Sequence, residues 1–344
     1  MDTLTQAALG ATIAEAGFRR RLGGRAVLFG AACGILPDLD MVAGLAGEWA
    51  SMVHHRGASH SLLVLPPLAL LVGWLGHRLI GRGTPRRAWM HLAFWTLITH
   101  PLLDLCTTYG TQILWPLSSA RYALDAIAII DPLYSLPLLA VLALARWRRF
   151  TPASSARLAR IALVATTAYV AVGYTLSRRA EAAGRAALAR QAFDAEEVRA
   201  TPLLGTILLW RIVARDAAGD LRIATASSWS PEPESFTALD RPQDPFVSAA
   251  LDSPRGRIFE WFAMGMVSAR VERRQDGVEV HLRDQRYGML TQPTAGLFGA
   301  VARFDQAGHL QSVQRLPDGP AVELRDELRA RWQALTAKRP PLSG

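Results

Sequence analysis

The chain has 344 residues, room for about two domains of ordinary size, and half of its residues are apolar while only 19% are charged. Mean hydropathy is +0.15, which together with the apolar content excludes a disordered tail, a fibre and a disulfide-stapled miniprotein. The net charge of +9 comes from basic residues that are all arginine except Lys338, and these gather in short runs beside apolar segments instead of forming one basic face, so no nucleic-acid partner is expected.

Residues 4–17 are small and apolar and predict a helix that lies at a membrane surface or re-enters the bilayer. Five segments then compare with the ~20 apolar residues needed to cross a bilayer: 26–46, 61–80, 89–109, 125–146 and 158–177. The fourth is interrupted by Asp131, Pro132 and Pro137 and reads as a broken or kinked span, tolerable where protein covers the freed backbone groups. Gly10, Gly17, Gly23, Gly24, Gly30 and Gly34 follow no strand and are read as close helix packing. Cys33 and Cys106 lie in apolar stretches and read as inert buried thiols.

Arginine distribution sets the orientation, because cytoplasmic loops are enriched in it. Arg19, Arg20, Arg21 and Arg25 precede the first span; Arg78, Arg82, Arg86 and Arg87 separate the second and third; Arg146, Arg148, Arg149, Arg157 and Arg160 separate the fourth and fifth. The intervening loops carry Arg56 alone and Arg121 alone. This alternation places the N-terminus in the cytoplasm and loops 45–60 and 110–124 outside. An odd number of spans puts everything after residue 178 outside, against the pull of Arg178 and Arg179.

After the membrane part, residues 179–197 read as a charged helix leaving the bilayer. Short strand-like stretches follow from 203, near 220–229, 266–273, 277–283 and 298–304, with Asp276-Gly277 as a turn dipeptide. A helix at 245–262 and a charged helix at 322–337 before a proline-rich end complete the reading. The fold expected is therefore an α-helical polytopic membrane domain of about five spans (1–178), a linker helix (179–200) and a small soluble α+β domain (201–344) built on one mostly antiparallel sheet.

Four polar clusters stand out at membrane depth, where ionisable groups are costly and mark functional sites. Asp38 and Asp40 flank Leu39 after a proline at the outer end of the first span. His54, His55, Arg56 and His60 fall just before the second, with Gly57 letting the chain turn so that His55 and His60 face one point. His100 and Asp104, four apart, share one helical face of the third span. Asp125 and Asp131 sit in the fourth, after Arg121 and Tyr122; Asp125 is read as a cap and Asp131 as buried. The first and third spans run in the same direction, so three of the clusters converge on one outward-facing site.

Imidazole nitrogen with carboxylate oxygen suits zinc, with manganese or iron as alternatives, and a divalent metal with an open position activates water for hydrolysis. The candidate ligands are Asp40, His55, His60, His100 and Asp104. Candidate catalytic residues are Asp38 and Asp104 for proton transfer and charge placement, and Arg56 for an anionic substrate or developing oxyanion.

The opening MDTLTQAALG, GILPDLD, HHRGASHSL and HPLLD together resemble the YdjM-type inner-membrane proteins, a family described as metal-dependent hydrolases, over residues 1 to about 145. That resemblance implies a polytopic bacterial inner-membrane protein with a hydrolase centre whose pattern falls on Asp38, Asp40, His55, His60, His100 and Asp104. It also implies a histidine after the early threonine, where this chain has Gln6 after Thr5. The expected activity is metal-dependent hydrolysis of a lipid or lipid-linked ester or phosphoester at the outer face of the inner membrane. The competing expectation is a non-enzymatic metal-binding, transport or envelope-anchoring protein, with the tail as contact for an envelope partner.

Overall fold

A computed structural model describes residues 1–146, 151–317, 319 and 323–336. Arg148, Arg149, Lys338 and the proline-rich end lie outside the described residues, as do both ends of the expected helix 322–337. The chain forms two compact units, Met1–Tyr174 and Thr175–Gly344.

The first unit is helical: α1 (Thr3–Gly17), α2 (Arg19–Leu22), α3 (Arg25–Ile35), a 3-10 stretch Leu36–Ala46, α4 (Glu48–His54), a 3-10 turn Ala58–His60, α5 (Leu65–Leu79), α6 (Arg86–Leu105), α7 (Pro132–Leu144) and the start of α8 (Pro152–Arg190). Two of these helical segments, Arg25–Ala46 and Pro152–Arg190, are long and apolar enough to cross a bilayer. Glu48–His60 with Leu65–Leu79, bent by 73°, makes a third if the pair is one span.

Helix α1 packs against the other helices of the unit. Asp2 caps it, accepting from the Thr5 amide at 2.9 Å, and Ala8, Leu9, Gly10, Ala11 and Ala14 are buried. Glycine makes this burial possible. A Cβ at Gly10 would stand 2.2 Å from the Gly30 carbonyl oxygen, and one at Gly34 would stand 2.3 Å from that of Gln6, so α1 and α3 meet backbone to backbone. Gly17, Gly23 and Gly24 have open space around them and take no part in this packing. The core between α1, α3 and α6 is Ala11, Ala14, Ala26, Val27, Trp89 and Leu92, continued toward α5 by Cys33, Leu65, Ala69, Ala93 and Leu97. Cys33 is buried there and Cys106 is partly buried, both as free thiols.

The segment expected as a kinked fourth span is helical only from Pro132. Proline lacks an N–H and suits the first helical position, and Asp131 caps it, accepting from the amides of Leu133 at 3.1 Å and Tyr134 at 3.4 Å. Its carboxylate also accepts from the Tyr169 hydroxyl of α8 at 2.9 Å. Asp125 is buried in the irregular stretch before α7, in the left-handed region with φ 52°.

The second unit carries two four-stranded sheets where one was expected. Strands β1 (Glu197–Pro202), β2 (Leu209–Arg215), β3 (Leu221–Ser227) and β4 (Thr237–Leu239) form one antiparallel meander; β5 (Val267–Arg274), β6 (Gly277–Asp284), β7 (Gly299–Phe304) and β8 (Leu310–Arg315) form the other. The first strand lies partly within the stretch read as linker helix, because EVRATP alternates too weakly to announce itself, and its burial comes from pairing with β2. The helix expected at 245–262 is two, α9 (Pro245–Asp252) and α10 (Pro254–Phe262), separated where Ser253 caps α10 through the Gly256 amide at 3.0 Å. The last helix described is α11 (Leu324–Thr336). Its buried Glu327 accepts from the amides of Leu290 and Thr291, both at 3.1 Å, and from Arg331 at 2.9 Å.

Two outcomes are expected. Gly30→Val forces a side chain into the α1–α3 seam and lowers stability by about 1–3 kcal/mol or more, whereas Gly24→Ala leaves the detergent-solubilised melting temperature unchanged. At Glu327 burial opposes the charge, but Arg331 and the two amides outweigh it and hold the carboxyl below the usual glutamate value. Its contribution is therefore complete above the ordinary glutamate range and lost as pH falls through the lowered value. Limited proteolysis should release α11 selectively in acid in wild type, and already at neutral pH in Glu327→Gln.

Candidate metal centre

The site begins with a proline. In α3 the helix tightens to 3-10 spacing after Ile35, where a carbonyl bonds to the amide three residues on. For Gly34 that residue is Pro37, which has no N–H. The open Gly34 carbonyl accepts from His100 Nδ1 at 2.7 Å, so His100 carries its proton on Nδ1 and turns Nε2 the other way. The same 3-10 stretch carries Asp38 in its first turn and Asp40 after it.

His60 is oriented by a parallel device. Ser59 donates its hydroxyl to Asp40 Oδ2, leaving its oxygen to accept from His60 Nδ1 at 2.9 Å, with Asp40 Oδ2 itself at 3.3 Å. His60 therefore also holds its proton on Nδ1. Asp40 accepts in addition from His55 Nδ1 at 2.7 Å and from the Arg56 amide at 3.0 Å, which pins the loop that delivers His60.

As a result the Nε2 atoms of His60 and His100 face one another at 3.0 Å. Asp104 Oδ2 lies 3.1 Å from the first and 3.4 Å from the second; Asp38 Oδ1 lies 3.6 and 3.4 Å from them. All four donor atoms fall within 4.8 Å of one another, and all four residues are buried. In neutral rings both Nε2 atoms present lone pairs to this point, beside two carboxylate oxygens, and Asp104 Oδ2 has no hydrogen-bond partner. Four converging electron pairs repel unless a cation lies among them. Tetrahedral zinc with ~2.0–2.1 Å bonds needs donors about 3.3 Å apart, and the five distances above bracket that value. The donor set fits a divalent metal; nothing in it distinguishes zinc from manganese.

The surroundings are positive. Arg56, buried and in the left-handed region with φ 62°, reaches Asp104 Oδ1 at 3.2 Å and donates to Thr107 Oγ1 at 2.9 Å. Thr107 in turn donates to the Asp104 carbonyl at 2.7 Å. The guanidinium groups of Arg56 and Arg121 stand 4.6 and 5.0 Å from the centre of the Tyr109 ring. The Met1 amino group also pairs with Asp104. Gln6, delivered by the glycine seam, donates to Asp104 Oδ1 and to the His100 carbonyl, both at 3.2 Å, and its buried Oε1 has no partner.

The structure thus brings Asp38, His60, His100 and Asp104 into one cluster, with Asp40 and His55 paired beside it and Arg56 against Asp104. Asp40 and His55, expected as ligands, fall outside the four-residue group because their facing atoms bond to each other and to the His60 loop. His54 is exposed and Asp125 and Asp131 belong to the loop and cap described above. Thr107, Tyr109 and Ser59 were not singled out from sequence; each acts through a short hydroxyl or ring contact that has no spacing signature.

The YdjM inner membrane protein family matches residues 1–180. The chain belongs to this family. Uncharacterized protein YfhP of Bacillus subtilis (strain 168) is 31% identical over 111 residues, 31% of this chain and 33% of its own length. Inner membrane protein YbcI of Escherichia coli (strain K12) is 34% identical over 101 residues, 28% of this chain and 57% of its own length. The matched regions thus span about a third and just over half of these relatives. No solved structure matches. With family membership and its two membrane-length helices, the chain is a multi-pass inner-membrane protein.

Because Asp40 holds the His60 loop without belonging to the cluster, Asp40→Ala should weaken metal binding about 10–100-fold while leaving all four donors in place. Competition with a chromogenic chelator measures this directly.

Proposed function

We propose that the protein is a metal-dependent hydrolase embedded in the inner membrane, acting at its outer face on a lipid or lipid-linked ester or phosphoester. The observation that carries the proposal is the buried convergence of His60, His100, Asp104 and Asp38 with both histidine protons turned outward. In this reading His60, His100 and Asp104 hold the metal, zinc first and manganese second. A divalent ion bound there supplies Lewis acidity and lowers the pKa of water.

Asp38 is the least buried of the four, 7% exposed against 0% for the others. It is assigned the proton-accepting role on the open side of the site. Arg56 holds Asp104 in place and balances its charge, and its unpartnered Nε keeps a donor for an anionic oxygen. The 3-10 stretch that carries Asp38 exposes Leu39, Met41, Val42 and Leu45. Exposed apolar side chains directly beside the least buried ligand suit entry of an acyl chain from the bilayer and favour a lipidic substrate.

The proposed topology has five crossings, with the N-terminus cytoplasmic and the second unit outside. Supporting it, Arg56 and Arg121, the two arginines of the outer loops, are both buried, 3% and 6% exposed. They contribute little surface charge, which sharpens the contrast with the arginine-rich inner loops.

One observation favours a second reading. Four protein ligands would close a tetrahedral zinc, as in structural sites, giving a metal-binding or anchoring protein. Elemental analysis of detergent-purified protein separates the two. Wild type should hold near-stoichiometric metal and His100→Ala should lose it. Asp38→Asn should keep the metal while abolishing hydrolysis of a synthetic lipid ester or phosphoester. Loss of metal in folded Asp38→Asn would instead establish the closed site, and a folded wild type without metal after supplementation would defeat both.

A further inference from the structure

The second unit contains a cleft of about 370 Å³ on the face of β2 and β3, closed on the far side by the 290 loop and α11 through Leu290, Pro293 and Ala334. That volume lies in the range of small-molecule sites. Arg211 of β2 is buried in its wall, 3% exposed. Its guanidinium donates to the Gln285 carbonyl and to Gln285 Oε1, both at 2.7 Å, which are neutral acceptors. The nearest acid in charge terms, Asp284, is bound to Arg286 at 2.7 Å and makes no ion pair with Arg211. Burial pulls the Arg211 guanidinium down to about 10, with the Asp284 charge working the other way; it stays cationic at neutral pH.

A buried cation whose hydrogen-bond partners among the described residues are neutral is costly and is compensated when an anion arrives. The rest of the wall says what the anion carries. Thr225, Ser230, Ser235 and Thr237 line the same cleft with hydroxyls, and Glu232 and Glu234 add carboxylates. Glu232 is already paired with Arg190. Carboxylates accept hydrogen bonds from hydroxyl groups but repel a dianion, so Arg211 opposite Glu234, with Glu232 neutralised by Arg190, suits a single negative charge on a hydroxyl-rich body.

We propose that this cleft binds a small, hydroxyl-rich organic monoanion of the sugar-acid class, its carboxylate on Arg211 and its hydroxyls on the Ser, Thr and Glu side chains. The site lies wholly within the second unit and does not depend on the metal centre.

The test is calorimetric titration of the full-length protein in detergent with three probes: D-glucuronate, neutral D-glucose and dianionic D-glucose 6-phosphate. Glucuronate should bind saturably, with the other two weaker by about tenfold or more. Arg211→Met, checked for folding by circular dichroism, and Thr225→Ile, which fills the cleft without changing charge, should each weaken glucuronate by about tenfold. The proposal is overturned by absence of saturable glucuronate binding, by glucose or glucose 6-phosphate binding as tightly, or by undiminished binding in either folded variant. Should Arg211→Met fail to fold, the probe comparison and Thr225→Ile still decide it.

Discussion

Two imidazole nitrogens 3.0 Å apart, with the other nitrogen of each ring turned to an oxygen acceptor, face two carboxylates at one buried point. Almost everything in the first unit follows from holding them there. The His100 ring is fixed by a carbonyl that exists as an open acceptor only because Pro37 interrupts the bonding of α3. The His60 ring is fixed by a serine whose own proton is spent on Asp40. Both arrangements use an acceptor to choose the tautomer, the usual way a protein prepares histidine for a cation. Arg56 offsets part of the negative charge gathered there, and the donor set is suited to a divalent metal.

Such a site demands that three separate parts of the chain reach one point among apolar helices. Glycine supplies the means. Gly10, Gly30 and Gly34 let α1 and α3 touch through their backbones, which places Gln6 against Asp104 and keeps the Asp38 turn next to α6. On α6 the four-residue spacing alone sets His100 and Asp104 on one face. The loops before α5 and after α6 then cover the cluster, with the guanidinium groups of Arg56 and Arg121 both over the Tyr109 ring. Arginines that in sequence look like ordinary loop charges are thereby structural parts of the site's roof.

The second unit solves a different problem, the burial of charge in a small β-rich fold. Asp284 satisfies Arg286 and leaves Arg211 to neutral partners, while Glu327 ties α11 to the 290 loop by accepting from two backbone amides and an arginine. The latch forms one wall of the cleft that Arg211 faces. A charge imbalance and a helix clasp, neither visible as a motif, meet at this cleft.

Sequence by itself determined the division into an apolar helical half and a β-rich half and picked out the polar residues of the cluster, because hydropathy and helical spacing are local or additive signals. His60, His100, Asp38 and Asp104 were all legible in that way, as was the packing at Gly10, Gly30 and Gly34 but not at Gly17, Gly23 and Gly24. Only the tertiary structure decided that Asp38 joins the donor group while Asp40 and His55 bond to each other, since which of the two acids meets the histidines of α6 and the 60 region depends on where the His55–Ser59 loop lands. It also decided that α1 is buried, that the helix after residue 125 begins at Pro132, and that the tail folds as two sheets. These depend on which backbone groups find partners far along the chain, and that information is not carried by spacing.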